Sequence, residues 1–135
     1  MSIQENKEIV RRWNEEVIND GKLDVLDELA AKNYVNHNGE LNFAAHKQMM
    51  AGMAAGFSDG KIVLEEIVAE GDIVAIRWRM HGRHTGEYMG VPATGKVITT
   101  PGMSMYRIVD GKVVDDWNVM DMLGAMQQLG VVPSA

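Results

Sequence analysis

The fold turns on the stretch Val97–Val119, VITTPGMSMYRIVDGKVVDDWNV. Two runs rich in β-branched and apolar residues, Val97 to Val109 and Lys112 to Val119, flank the pair Asp110-Gly111. That pair tolerates the positive φ that a two-residue hairpin loop requires, so the spacing predicts two long antiparallel strands. Just upstream, Ile62, Leu64, Ile67 and Val68 and then Ile73 to Met80 come close to strict alternation, with Gly71-Asp72 between them, which predicts a second hairpin. Within its second strand Val74, Ile76, Trp78 and Met80 share one face, and Arg77, Arg79, His81 and Arg83 share the other. One side of the sheet is therefore core and the other is wet.

The segments before the strands change period. From Ile3 to Ile18 the apolar positions Ile3, Ile9, Val10, Trp13 and Val17 fall mostly three or four apart, the spacing of an amphipathic helix that Asn19-Asp20-Gly21 stops. Leu23, Val25, Leu26, Leu29 and Ala30 predict a short second helix running into Tyr34–Gly39, which reads as a turn-rich loop. A third helix, rich in Ala and Met, spans about Phe43 to Phe57. Between the hairpins, Gly82 to Gly95 holds four Gly and a Pro, a composition suited to a shaped loop over a cavity mouth. After the last strand, Asp121 precedes the short helix MLGAMQQL with Gly130 as its stop. Three helices, a four-stranded antiparallel meander and a closing helix make an α+β architecture in which a curved sheet, covered on one face by helices, encloses a pocket.

Composition narrows the partners. The 135 residues suit a single core, and 46% hydrophobic with 24% charged residues is a globular balance. A net charge of −6 supplies no positive field for nucleic acid or an anionic membrane. The chain has no cysteine, which excludes disulfide and thiol chemistry. The N-terminal MSIQENKEIVRRW has no hydrophobic signal core, and no apolar run approaches the ~18 residues of a membrane span, which leaves the cytoplasm as the expected compartment. Neither a phosphate loop nor a GxGxxG occurs. His81 and His84, three apart in an extended segment, point to opposite faces and cannot share a metal ion, and no His-Glu helix motif is present, so no metal is expected. Eleven Met against eight aromatic residues is a skewed apolar inventory, open to two readings: ordinary core filling, or a wall that adapts to its contents.

The ordered motifs from His84 to Gly130 carry a family resemblance. His84-Thr85-Gly86-Glu87-Tyr88, Pro92-x-Thr94-Gly95-Lys96, Tyr106-Arg107-Ile108-x-Asp110-Gly111-Lys112, Asp116-Trp117-x-x-x-Asp121 and Gln127-Gln128-Leu129-Gly130 are similar, in order and spacing, to the SnoaL-like polyketide cyclase (ester cyclase) branch of the nuclear-transport-factor-2-like superfamily. The N-terminal helices and Tyr34-x-x-His37 resemble it as well, so the likeness extends over residues 1–135 as one SnoaL-like domain. The resemblance implies a cone-shaped α+β barrel, a homodimer, and a hydrophobic pocket under the first helices. It also implies aldol ring closure of an aromatic polyketide without metal or cofactor, with an Asp as acid/base at the position of Asp121. The characterised cyclases carry a His on the long strand where this sequence has Ser104.

Each candidate residue has a structural alternative. Asp121 reads either as a helix N-cap or, among Trp117, Val119, Met120, Met122 and Leu123, as a desolvated base. His37, in its loop, either enters the cavity or is solvated; His84 either faces inward, on the parity of Trp78, or fixes the glycine-rich loop. Ser104 and Tyr106 share a strand face that lines a pocket or forms cross-strand hydrogen bonds. Trp78 and Trp117 belong to core or pocket wall, Trp117 with Asp121 four residues on; His46, on the Ala/Met helix, reads as structural or exposed. The leading expectation is a cofactor-free cyclase or isomerase acting next to a carbonyl of a small apolar or aromatic molecule, with Asp121 as base and His37, His84, Ser104 and Tyr106 orienting oxygen atoms. A non-catalytic binder of hydrophobic ligands and an epoxide-type hydrolase are the alternatives.

Overall fold

The computed structural model describes residues 2–133. Ser2 starts the first helix, α1 (Ile3–Arg11), through a reciprocal cap with Glu5, in which each side chain accepts from the other residue's backbone N–H. The helix continues into a widened π turn at Arg12–Glu16, which sets Trp13 and Asn14 inside the molecule. A short helix, α2 (Val25–Leu29), leads directly into strand β1 (Ala30–Asn36). Then follow β2 (Leu41–Asn42), α3 (Phe43–Gly56), β3 (Phe57–Glu70), β4 (Ile73–His84), β5 (Val97–Val109), β6 (Lys112–Met120) and α4 (Met122–Leu129).

All six strands form one sheet, in the order β2-β1-β6-β5-β4-β3. The expected four-stranded meander β3 to β6 is present, antiparallel throughout. The Tyr34–Gly39 loop is corrected: its first half is strand, because β1 adds to the free edge of β6 in parallel and β2 pairs antiparallel beyond it. A lone strand whose partner lies some 80 positions away leaves no hairpin signal. The β5–β6 turn is of type I′, with φ of 51° at Asp110 and 75° at Gly111. The sheet is curved and unclosed, and the N-terminal helices cover its concave face. The core lies between them, built from Val10, Trp13 and Leu26 on the helical side and Tyr34, Val74, Ile76, Tyr106, Ile108 and Val113 on the sheet.

Three cross-strand rows on the concave face position the site: Val74–Tyr106–Asp116, Ile76–Ser104–Asn118 and Trp78–Gly102–Met120. Gly102 is needed where it stands, since a Cβ there would lie 2.2 Å from the Trp78 indole that crosses it. Among the described residues no helix is long and apolar enough to cross a membrane.

Candidate active site

Between the three rows and the helices lies a cavity of about 500 Å³. The π turn gives it Trp13 and Asn14, α3 gives His46, Met49, Met50 and Met53, and the glycine-rich loop gives Tyr88 and Met89. The sheet supplies Trp78, Met80, Ser104, Tyr106, Asp116, Asn118 and Met120, and Met122 opens α4 beside them. Seven of the eleven methionines are in this wall, and three of them, Met50, Met80 and Met120, also pack against the core. A smaller space of about 160 Å³ adjoins it across Ile18, Met50, Met53, Met80, Tyr88 and Met120.

The cavity is mostly apolar, and three hydrogen-bonded groups stand in its wall. Asp116 is 2% exposed and has no cation against it among the described residues. Its Oδ2 accepts a hydrogen bond from the Tyr34 hydroxyl at 2.7 Å, and the Asn118 amide nitrogen is 3.5 Å from Oδ1. Burial is the larger influence on this carboxyl and pushes its pKa up to about 6, against the lowering effect of the Tyr34 and Asn118 contacts. The same burial, with Asp116 beside it, raises the Tyr34 pKa, so its hydroxyl stays a donor. Tyr106 OH and Asn14 exchange contacts at 3.2 and 3.3 Å, and Asn14 also donates to the Val10 carbonyl at 2.9 Å. The third group is His46 with Asn36, whose amide nitrogen is 3.1 Å from His46 Nδ1. The His46 ring packs between Trp13 (stacked, centroids 5.6 Å apart) and Tyr34 (5.2 Å), and burial lowers its pKa to about 4.

The structure separates the candidates read from sequence. Trp78, Ser104 and Tyr106 line the cavity, with Trp78 Nε1–H donating to Ser104 Oγ at 2.9 Å. His84 is fully buried but lies outside the cavity wall: its Nδ1 meets Thr94 Oγ1 at 3.0 Å and accepts from Thr94 N–H at 3.2 Å, which ties the two ends of the glycine-rich loop together. His37 and Trp117 are on the convex face, stacked on each other at 5.0 Å, with His37 Nε2 at 2.8 Å from Asp115 Oδ1. That hydrogen bond raises the His37 pKa. Asp121 is exposed and accepts from Gly124 N–H at 2.8 Å as the N-cap of α4, and it is not in the cavity wall. A Cβ at Gly124 would meet Asp121 Oδ2 at 2.2 Å, so a side chain there would displace the capping carboxylate. The cavity expected for Trp117 together with Asp121 is not found: Trp117 stacks on His37 on the convex face and Asp121 caps α4, so neither lines the cavity. Besides Ser104 and Tyr106, the polar residues of the cavity wall include Asn14, Asn38, His46, Asp116 and Asn118. Among the described residues no three of His, Cys, Asp or Glu are grouped to hold a metal ion. The Arg77 and Arg79 row is convex and paired with Glu65 and Glu66.

Known proteins share this fold and much of this sequence. The family model for SnoaL-like polyketide cyclases matches residues 8–129. The chain belongs to that family. Aklanonic acid methyl ester cyclase from Streptomyces peucetius is 37% identical over 134 residues, covering 91% of this chain and 89% of its own length. Nogalonic acid methyl ester cyclase from Streptomyces nogalater is 33% identical over 122 residues, covering 83% and 88%. Among solved structures, TsrD from Streptomyces laurentii superposes with a TM-score of 0.89 at 25% identity over 98% of this chain and 99% of that one. AclR from Streptomyces galilaeus, a proposed hydroxylase, gives 0.86 at 31% identity over 99% and 86%. As a SnoaL-like polyketide cyclase domain the chain shares the family's α+β cone.

Proposed function

We propose that this protein closes a ring in an aromatic polyketide ketone by an intramolecular aldol reaction, with the Asp116 carboxylate as the base. The observation that carries the reading is Asp116 itself: a carboxylate in the wall of an apolar cavity, held at a pKa of about 6 by burial. Such a group is ionised at neutral pH and basic enough to take a proton from carbon next to a carbonyl. In the proposed step the C–H electron pair becomes an enolate. The enolate carbon attacks a second carbonyl carbon, and the proton held on Asp116 passes to the new alkoxide. Substrate and product are isomers, so the step consumes no electrons and needs no redox partner. Tyr34 holds one carboxylate oxygen and Asn118 makes only a long contact to the other, which is the one proposed to meet the substrate. The cavity volume lies within the range of small-molecule sites, about 300–1,000 Å³.

The relatives' substrates set the class to try: methyl esters of polyketide-derived aromatic acids. Incubation with aklanonic or nogalonic acid methyl ester, followed by chromatography and mass spectrometry, is expected to give a product of unchanged mass and altered retention. A gain of one oxygen would point instead to hydroxylation, the activity proposed for AclR, and recovery of unchanged substrate across the class would sink the cyclase reading.

A second copy of the chain is the partner that the convex face suits. Val68, Met103, Met105 and Val119 are 44–67% exposed there, next to Trp117. An apolar surface of this kind favours a two-fold dimer. Light scattering is expected to report a dimer for the wild type and a monomer for the double variant M103K/V119K.

A further inference from the structure

We infer that the smaller chamber beside the Asp116 cavity binds a short unbranched alkyl arm of the substrate. The inference rests on the cyclase reading above, because it takes the larger cavity as the place of the reacting ketone. The two spaces share a wall: Ile18, Met50, Met53, Met80, Tyr88 and Met120 line both. A molecule held in the larger cavity therefore has the smaller chamber directly beside it. Four of the six shared residues are methionine, whose unbranched, flexible side chains part more readily than branched ones. A methylene chain, narrower than a ring, suits such a partition.

The lining decides what can enter. Among the described residues around the smaller chamber there is no Asp, Glu, Lys or Arg, and none of Asn14, Tyr106, Asp116 and Asn118 reaches it from the larger cavity. Ile98 and Ala125, both buried, line it and belong to a second apolar cluster with Leu129 and Phe57. The chamber thus lies at the seam between that cluster and the main core, and neither fills it. Ala51 and Ala54 of α3 and Gly60 of β3 leave the space open. Nothing in the backbone or the packing demands glycine at position 60: its φ is not positive, and an added Cβ would meet no atom within 4 Å. The volume, about 160 Å³, sets the size of the guest. An apolar cavity of about 150 Å³ holds one benzene ring, so the chamber suits a chain of about four to six carbons. The division of chemistry also orients the substrate. Burying an apolar arm where no charge can solvate it leaves the oxygen-bearing end in the chamber that contains Asp116.

The test uses two ketones that differ only in their arm, 2-acetylnaphthalene and 2-hexanoylnaphthalene, and wild-type protein with ¹³C-labelled Ile and Ala methyl groups. Ile62 lines the larger cavity alone, and Ile98 and Ala125 line the smaller chamber alone. Both ketones are expected to move the Ile62 resonance, and only the hexanoyl ketone should move those of Ile98 and Ala125. Between the two, affinity should rise about fourfold for each added methylene, the gain for full burial of a CH₂ group. A dodecanoyl arm, longer than the chamber, should add little more. A54F puts bulk into the chamber wall from an exposed position of α3. It should weaken hexanoyl binding about tenfold or more and leave acetyl binding within about twofold. Ile98 and Ala125 signals that stay in place with the hexanoyl ketone, or that respond alike to both ketones, overturn the inference, as does an A54F loss that is equal for the two. The wild-type spectra decide this even if A54F fails to fold. D116N should show the wild-type pattern of shifts while losing turnover, so a failure of Asp116 as base and a failure of the arm site give different results.

Discussion

Asp115 and Asp116 are consecutive residues of β6 and lie on opposite faces of one sheet. Asp115 accepts from His37 Nε2 at 2.8 Å and from Arg107 Nε at 3.2 Å, with its side chain 23% exposed. Asp116 is sealed inside, with a phenol for a partner in place of a cation. On the wet face opposite charges and water surround the carboxylate, and the charged form is favoured. On the dry face the missing water is only partly replaced by hydrogen bonds, and the charged form becomes basic. Sequence adjacency therefore says nothing about reactivity here, and the face of the sheet says nearly everything.

The largest effect expected from breaking this contrast is on turnover. D116N keeps an acceptor for the Tyr34 hydroxyl but removes the base, and kcat should fall by about 10²–10⁴ with little change in KM. In the wild type, kcat/KM should rise with pH and level off above the Asp116 pKa of about 6. A D116N enzyme with wild-type kcat would remove Asp116 from the reaction.

Stability should respond next. The folded-state pKa of Asp116 is raised, from an ordinary value of 3.8 to about 6, so the folded protein holds its proton more tightly than the unfolded chain does. The associated stability is present at low pH and is lost as pH rises from about 4 to about 6, a loss bounded by roughly 3 kcal/mol. His46 has the opposite sign. Its folded pKa is lowered to about 4, so stability is lost as pH falls from 6.5 toward 4. In the wild type the two slopes offset each other between pH 4 and 6. Urea melts of D116N should therefore show higher stability at pH 7 and a steeper loss toward pH 4, and a parallel shift at all pH values would contradict the assignment.

Removing the Tyr34 hydroxyl sharpens the comparison from the dry side. Y34F should cost about 1–3 kcal/mol, since it leaves a buried carboxylate short of a partner. It should also move the inflection of the pH–rate profile upward, because the Tyr34 hydrogen bond lowers the Asp116 pKa. Asp121 then tests the position that the resemblance favoured for the base. D121A should lower stability by about 1 kcal/mol through the lost cap and leave kcat within about twofold. A collapse of kcat in that variant, with stability retained, would return the role of base to Asp121. The smallest effect belongs to the wet face. D115N should change stability by less than about 1 kcal/mol. Its clearest readout is by NMR, where the raised His37 pKa should drop back toward its ordinary value.

Much of the frame was legible in the chain. Strict alternation in Val74–Met80, the Asp110-Gly111 pair and the three-four spacing of α1 depend on local geometry, and the strands, turn and helix they predict are present. The site was less legible, and β6 shows why. Read as a regular strand, KVVDDWNVM places Val113, Asp115, Trp117 and Val119 on one side, the more apolar one. In the structure Ile108 pairs with Val113 while Arg107 pairs with Asp115, so Val114 is an extra residue in the ladder. This bulge reverses the facing of everything after it. Val113 and Asp116 both point inward, and Trp117 and Val119 point outward. The burial of His46 was hidden for a related reason: its partner Asn36 is ten residues away, on a strand that exists only because β6 offers it an edge.

By itself, then, the sequence determined the α+β class, the helix and strand periods, the stop and turn positions and the ordered motifs of the family, all of which arise from interactions within a few residues or from pattern. The tertiary structure alone decided which carboxylate is dry and which histidine and tryptophans line the cavity. Burial and hydrogen-bond partnership are properties of what surrounds a residue, and one inserted residue in β6 was enough to exchange the surroundings of two adjacent aspartates.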